Sequence, residues 1–141
     1  MSSTTAVTLP IQACVLPEES RMGFLPAFFG DAFMVVGESL IFHWMTVLSK
    51  DYNGGLWNYV TLSNRGFYMA PESAKKYSVC LPGQSSKDDL SPDAAGIVAT
   101  LFALEQLAGK ANTEDFVSQY KLLRAFASQH AESQLILSVI G

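Results

Sequence analysis

The chain has 141 residues, 49% hydrophobic and 16% charged, which suits one packed core and excludes both a two-domain protein and a disordered one. Nine Lys and Arg against 13 Asp and Glu give a net charge of −4. That leaves no basic footprint for nucleic acid, and it also excludes imitation of DNA, because one helical turn of duplex would need roughly 20 unpaired acidic charges.

The first ten residues, Met1 to Pro10, carry no basic stretch of the kind that opens a secretory signal, and no apolar run approaches the ~20 residues needed to span a bilayer. The sequence therefore predicts a cytoplasmic protein with no membrane partner. Pro10 and Pro17 punctuate small polar and apolar residues, which predicts an extended arm over 1–17 ahead of a single domain over 18–141. Glu18 to Arg21 starts a short helix limited by Pro26, and Gly30 resets the chain. From Asp31, read as an N-cap, to Lys50 the residues Phe33, Gly37, Leu40, Trp44 and Leu48 recur at helical spacing. His43 falls on a second, solvated stripe, and Asn53-Gly54-Gly55 ends the element in a turn.

Trp57–Ser63 and Gly66–Ala70 read as a hairpin about Asn64-Arg65, with Asn64 in the left-handed conformation. That register faces Leu62 with Phe67 and Val60 with Met69 on one side of the sheet. Tyr68, Tyr59 and Trp57 then share the other side. Tyr77–Pro82 supplies the third strand of a small antiparallel sheet, and residues 84–90 form a polar loop.

Ser91-Pro92-Asp93 combines a capping serine, proline at the first helical position and an acid at the positive end of the dipole. The segment that follows, to about residue 108, is apolar nearly all round and predicts a central buried helix. An amphipathic helix from about Thr113 presents Phe116, Tyr120, Leu123 and Ala127 on one face, and a last short helix carries Leu135, Ile136, Val139 and Ile140. The fold class is α+β, a sheet of about three strands with flanking helices.

Side chains that could carry chemistry are few. Cys14 and Cys80 form no C-x-x-C pair and read as buried free thiols rather than as a zinc knuckle or a redox motif. Cys80 with His43 or His130 is the material for a thiol enzyme, but Cys80 sits in an apolar β-rich run, where a small core residue is the plainer reading. No spacing of Cys and His makes a metal-ligand pair, and Gly54-Gly55 lacks the helix start and Lys-Ser or Lys-Thr of a phosphate loop. The sequence thus assigns no catalytic, cofactor-binding or metal-binding residue. Trp57, Tyr59 and Tyr68, with Arg65 at the hairpin tip, form the candidate partner contact, because interfaces concentrate aromatic residues and arginine. The plainer alternative is that helices bury both faces of the sheet. A second use of such a face is stacking bases, which makes a nucleic-acid module the competing function.

Three blocks resemble the ArdB/KlcA antirestriction family, small proteins carried on plasmids and other mobile elements, and they are similar to its KlcA branch in particular. They are Arg21 to Gly30, then Ser49 to Trp57 continuing through Thr61–Asn64 and Gly66–Pro71, then Ser91 to Leu104. Arg65 departs from the family pattern, which more often has Gly there. The resemblance implies a single antirestriction domain that inhibits type I restriction enzymes and protects incoming unmodified DNA. Its implied partner is the host type I restriction-modification machinery, engaged directly or indirectly. It implies no cofactor and no catalytic residues.

Overall fold

The protein is described by a computed structural model over residues 10–84, 88–111 and 114–141. The expectations for residues 1–9 of the arm, for 85–87 of the polar loop and for a helix start at Thr113 lie outside the described residues. The elements run β1 (Ala13–Val15), a 3-10 turn (Glu18–Gly23), α1 (Phe24–Phe29), α2 (Met34–Leu48), β2 (Trp57–Leu62) and β3 (Phe67–Pro71). Then come β4 (Tyr77–Val79), β5 (Asp88–Leu90), α3 (Pro92–Ala111), α4 (Glu114–Gln129) and α5 (Ser133–Ile140).

The class is α+β, with a three-stranded antiparallel sheet in the order β1-β2-β3. Its third strand, however, is β1 and not the Tyr77–Pro82 segment. Ala13, Cys14 and Val15 pair with Leu62, Thr61 and Val60, while β4 pairs with β5 as a separate ribbon, Tyr77 opposite Leu90 and Val79 opposite Asp88. Both β1 and the loop around Asp88 were hidden by weak strand propensity, since pairing partners decide strands more than intrinsic preference does. The side chains of β1 are exposed. What holds the strand is its backbone, extended by Ser63 N–H to Gln12 O at 2.9 Å and by the Gln129 side-chain amide, which accepts from Ile11 N–H at 3.0 Å and donates to Ile11 O at 2.7 Å.

The core is built around α3. Ile97, Val98, Leu101 and Leu104 are fully buried, as their nearly continuous apolar surroundings predict, whereas Phe102 is half-buried, its ring stacked on Trp44 of α2 at 4.8 Å. The Trp44 indole N–H donates to Gln106 Oε1 at 3.0 Å. Ser91 Oγ caps the helix by accepting Ala94 N–H at 3.1 Å. Where α3 crosses the sheet, Gly96 lies against β3 so closely that a Cβ there would stand 2.3 Å from Met69 O. Thr100, one turn on, accepts Met69 N–H at 3.2 Å and donates to Gly96 O at 2.8 Å.

By length and composition residues 18–48 could cross a membrane, although the sequence reading found no such run. The structure divides them at Gly30 (φ 75°, ψ 161°), and α2, at 15 residues, spans ~22 Å against the ~30 Å of a bilayer core. Asp31 does not cap α2; Phe33 occupies that position without a side-chain bond.

Candidate partner-binding surface

The hairpin is offset by one residue from the sequence register. Val60 pairs with Tyr68 and Thr61 with Phe67, and Leu62 N–H reaches Gly66 O at 2.9 Å while Arg65 N–H reaches Leu62 O at 3.0 Å. The loop is therefore Ser63-Asn64-Arg65, and the left-handed residue is Arg65, at φ 76°, instead of Asn64. Asn64 uses its side chain for position: Oδ1 accepts Gly66 N–H at 2.9 Å, and Nδ2 donates to Leu122 O of α4 at 2.9 Å. Because side chains alternate, one extra loop residue turns every residue of β3 to the opposite face.

Tyr68 is consequently separated from Trp57 and Tyr59. Trp57 is 5% exposed, packs on Phe42 at 5.1 Å and donates its indole N–H to the Tyr52 hydroxyl at 2.9 Å. Tyr59 is half-buried and donates its hydroxyl to Glu38 Oε2 at 3.0 Å, with the Arg21 guanidinium 5.4 Å from its ring centre. Burial and then the Glu38 carboxylate raise its pKa. Tyr68 is 2% exposed and stacks on Phe126 at 5.7 Å. Of the four residues singled out in the sequence, Arg65 alone is exposed. The tip it occupies is docked on α4, where Gln119 Nε2 donates to Arg65 O at 3.3 Å.

Next to that tip is an open groove of about 520 Å³ between the end of α1 and the first turns of α4. Phe28, Phe29, Phe33 and Phe116 line it, with Asp115, Ser118 and Gln119. The rings are mutually fixed, Phe33 edge-on to Phe116 at 5.5 Å and Phe28 stacked on Phe67 at 4.6 Å. The sequence contained the signal, an aromatic pair Phe28-Phe29 followed by Phe33, but Phe33 reads only as part of a helical stripe and Phe28-Phe29 only as part of the block Arg21 to Gly30.

A polar cluster that sequence reasoning missed joins α3 to the α4–α5 corner. Tyr68 donates its hydroxyl to Asp93 Oδ1 at 2.6 Å, and His130 Nε2 lies 2.8 Å from Asp93 Oδ2. Glu132 N–H approaches His130 Nδ1 at 3.0 Å, while the Glu132 carboxylate receives Ser91 N–H at 2.9 Å and the Ser91 hydroxyl. An Nδ1 that accepts a backbone N–H leaves the proton on Nε2, so the neutral ring donates to Asp93. Both ring nitrogens are thereby occupied, and the arrangement ties the start of α3 to the α4–α5 corner. Burial opposes ionisation of Asp93, but the hydrogen bonds from His130 and Tyr68 outweigh it and hold the carboxyl below its ordinary value. Burial and the bond to Asp93 push the Tyr68 hydroxyl pKa up.

Cys14 is exposed and Cys80 half-buried, so the expectation of buried thiols fails for Cys14, which lies on the exposed strand β1. Cys80 Sγ donates to the carbonyls of Leu81 and Gln84, at 3.4 and 2.9 Å. It lines a second cavity of about 390 Å³ with Lys50, Asp51 and Ser78. Among the described residues no three His, Cys, Asp or Glu side chains cluster as a metal site.

The chain matches the antirestriction protein family over residues 50–141. It is 47% identical over 137 residues to an antirestriction protein KlcA of Escherichia coli, covering 93% of this chain and 94% of the relative. A second Escherichia coli KlcA is 42% identical over 135 residues, covering 93% and 95%. A solved structure superposes with a TM-score of 0.87 at 40% identity, over 98% of this chain and 100% of that one. It comes from work on the KlcA and ArdB proteins describing a novel fold and antirestriction activity against type I DNA restriction systems in vivo but not in vitro.

Proposed function

Because the chain belongs to the antirestriction protein family, we propose that it inhibits type I restriction enzymes and so protects incoming unmodified DNA, acting in the cytoplasm. The observation that carries this reading is identity of 47% along nearly the whole length of a KlcA protein, with the fold retained in the solved neighbour. The mode of action is binding to the host restriction-modification machinery and not catalysis. The most chemically suggestive polar groups, Ser91, Asp93, His130 and Cys80, are each engaged in bonds that hold the fold together. The in vivo restriction of the neighbour's activity favours a route that needs a further cellular component.

Arg65 is carried forward as the contact residue, and Trp57, Tyr59 and Tyr68 as the residues that build and hold the hairpin presenting it. The arm over 1–17 and the antirestriction domain over 18–141 belong to the same reading. The test is the plating efficiency of unmodified phage on restricting cells with and without this protein, where restriction should fall when it is expressed. Unchanged plating across several type I systems would refute the proposal. A salt titration of binding to unmodified DNA separates it from the nucleic-acid alternative, because phosphate contacts impose a steep salt dependence.

A further inference from the structure

The three-stranded sheet has two edges, and they are treated differently. Along β3 the edge is closed by α3, whose Thr100 hydroxyl accepts Met69 N–H at 3.2 Å and lies 3.4 Å from Met69 O. Along β1, Ser63 N–H to Gln12 O and Leu16 N–H to Tyr59 O, at 2.9 and 2.8 Å, show that residues 12, 14 and 16 turn their backbone groups toward β2. By alternation Ile11, Ala13 and Val15 turn theirs outward. Gln129 occupies both groups of Ile11. Among the described residues, the outward groups of Ala13 and Val15 meet only the Cys14 thiol, at a long 3.8 Å from Val15 O. The strand is exposed, and residues 10–17, Pro-Ile-Gln-Ala-Cys-Val-Leu-Pro, carry no charge in a chain of net charge −4. An open edge is ordinarily guarded by a charged side chain; this one is not.

We propose that this edge pairs with the same edge of a second copy of the chain, antiparallel and centred on Cys14. Ala13 then exchanges N–H···O bonds with Val15 of the second copy, and Val15 with its Ala13, which uses every open group. The neighbouring antiparallel registers need Ile11, which Gln129 holds, or Pro17, which has no N–H. At Pro17 the chain leaves the strand, Ser20 N–H closing on Pro17 O at 2.9 Å. The uncharged stretch lets two acidic molecules meet without opposing charges at the contact. Three residues a side bury far less than the roughly 1,200 Å² of a stable interface, so the pairing is reversible, with a dissociation constant on the order of 0.1–1 mM. Because Ser63 binds Gln12, each hairpin tip lies at the Gln12 end of β1, and the pair carries its two Arg65 tips at opposite ends of one six-stranded sheet.

The experiment is sedimentation equilibrium of the full chain under reducing conditions, from low micromolar to millimolar concentration. The mass should climb from that of one chain toward two. Val15→Pro deletes one outward N–H and spares the bonds to β2, so it should hold the single-chain mass throughout with a nearly unchanged melting temperature. A second measurement tests the register. In the proposed pair the two Cys14 residues face each other at a non-hydrogen-bonded position, with Cα atoms about 4.5 Å apart, inside the about 4.4–6.8 Å span of a disulfide. Diamide takes one hydrogen from each thiol, joins the sulfurs and is itself reduced to the hydrazine. It should link Cys80→Ser protein through Cys14. A triple variant, Cys14→Ser, Cys80→Ser and Ala13→Cys, keeps one thiol on the same exposed strand but two positions out of register with its counterpart, beyond about 7 Å. Corrected for the reactivity of each thiol, it should link at least about tenfold more slowly, the separation exceeding what a disulfide spans.

A single-chain mass up to millimolar concentration would overturn the proposal, as would a Val15→Pro protein that associated like the parent. Equal linking rates at positions 13 and 14 would overturn the Cys14-centred register. Diamide linkage through Cys14 that persisted undiminished in Val15→Pro would show chance collision of exposed thiols, and would likewise count against the paired edge.

Discussion

Replacing Gly96 by alanine sets two effects of opposite sign against each other, and the geometry decides between them. In an isolated helix the change is favourable by about 0.8–1 kcal/mol. In this fold the new Cβ would stand 2.3 Å from Met69 O, 2.4 Å from Ala70 Cα and 2.6 Å from Ala70 Cβ. Two of those three atoms are backbone of β3 and cannot rotate away. Ordinary contact requires α3 to withdraw by about 1 Å, which loosens the packing of its buried face at a cost of roughly 1–3 kcal/mol or more, typical of overpacked cores, and it stretches the Thr100 bond to Met69 N–H. The net expectation is a loss of about 2 kcal/mol, or roughly 6–8 °C in melting temperature for a chain of this size. Gly109, in the same helix, has no atom within 4 Å of its would-be Cβ, so Gly109→Ala should raise the melting temperature by a few degrees. Thermal unfolding followed at 222 nm compares the two. If Gly96→Ala melted at or above the parent, the close approach of α3 to β3 described here would be wrong.

The Asp93 carboxyl titrates below its ordinary value in the folded state, so its contribution to stability is complete above the unfolded pKa of about 3.9 and is lost as pH falls through the lower folded value; urea midpoints should show the gap between parent and Asp93→Asn closing from pH 5 to pH 2.5, and a constant gap would contradict the network. Arg65→Gly should stabilise the hairpin by about 1 kcal/mol, the usual cost of a side chain at positive φ, while weakening protection of phage, whereas an unaltered plating efficiency would remove Arg65 from the contact. Leu101→Asp places an unpaired charge at a position with 0% exposure and should leave the protein without a cooperative transition at 25 °C, a cost beyond about 4 kcal/mol; a parent-like melt would disprove the central-helix assignment.

Helices were legible where local signals agreed with tertiary burial. Ser91-Pro92-Asp93 announced α3, and its serine does cap the helix. The hairpin was located, but its register was not, because the left-handed residue is an arginine where glycine or asparagine normally marks the spot, and Asn64 serves a different end. That single misplaced residue moved Tyr68 to the wrong face and assembled an aromatic surface that the fold does not contain. Pairings between distant segments left no local trace: Ala13–Val15 on β2, Asp88–Leu90 on β4, and His130 on Asp93 across 37 residues. The groove escaped notice for a related reason. Hydrophobic pattern says that Phe28, Phe33 and Phe116 seek cover, and cannot say that the cover stops short of closing over them.

The manner in which β1 is attached has a consequence for anyone shortening the chain. It contributes almost no buried side chain, since Val15 is 54% exposed, and its grip depends on Gln129, which lies 118 residues away from Ile11. Such a strand docks last and lifts first, because little apolar surface opposes its opening. Its departure bares the N–H and C=O groups along β2, a flat strip on which a second molecule can lay a strand of its own. A protein trimmed back to Pro17 would lose Ile11 and Leu16 from the margin of its core together with the seal on its sheet, and its state in solution would become still more a matter of concentration.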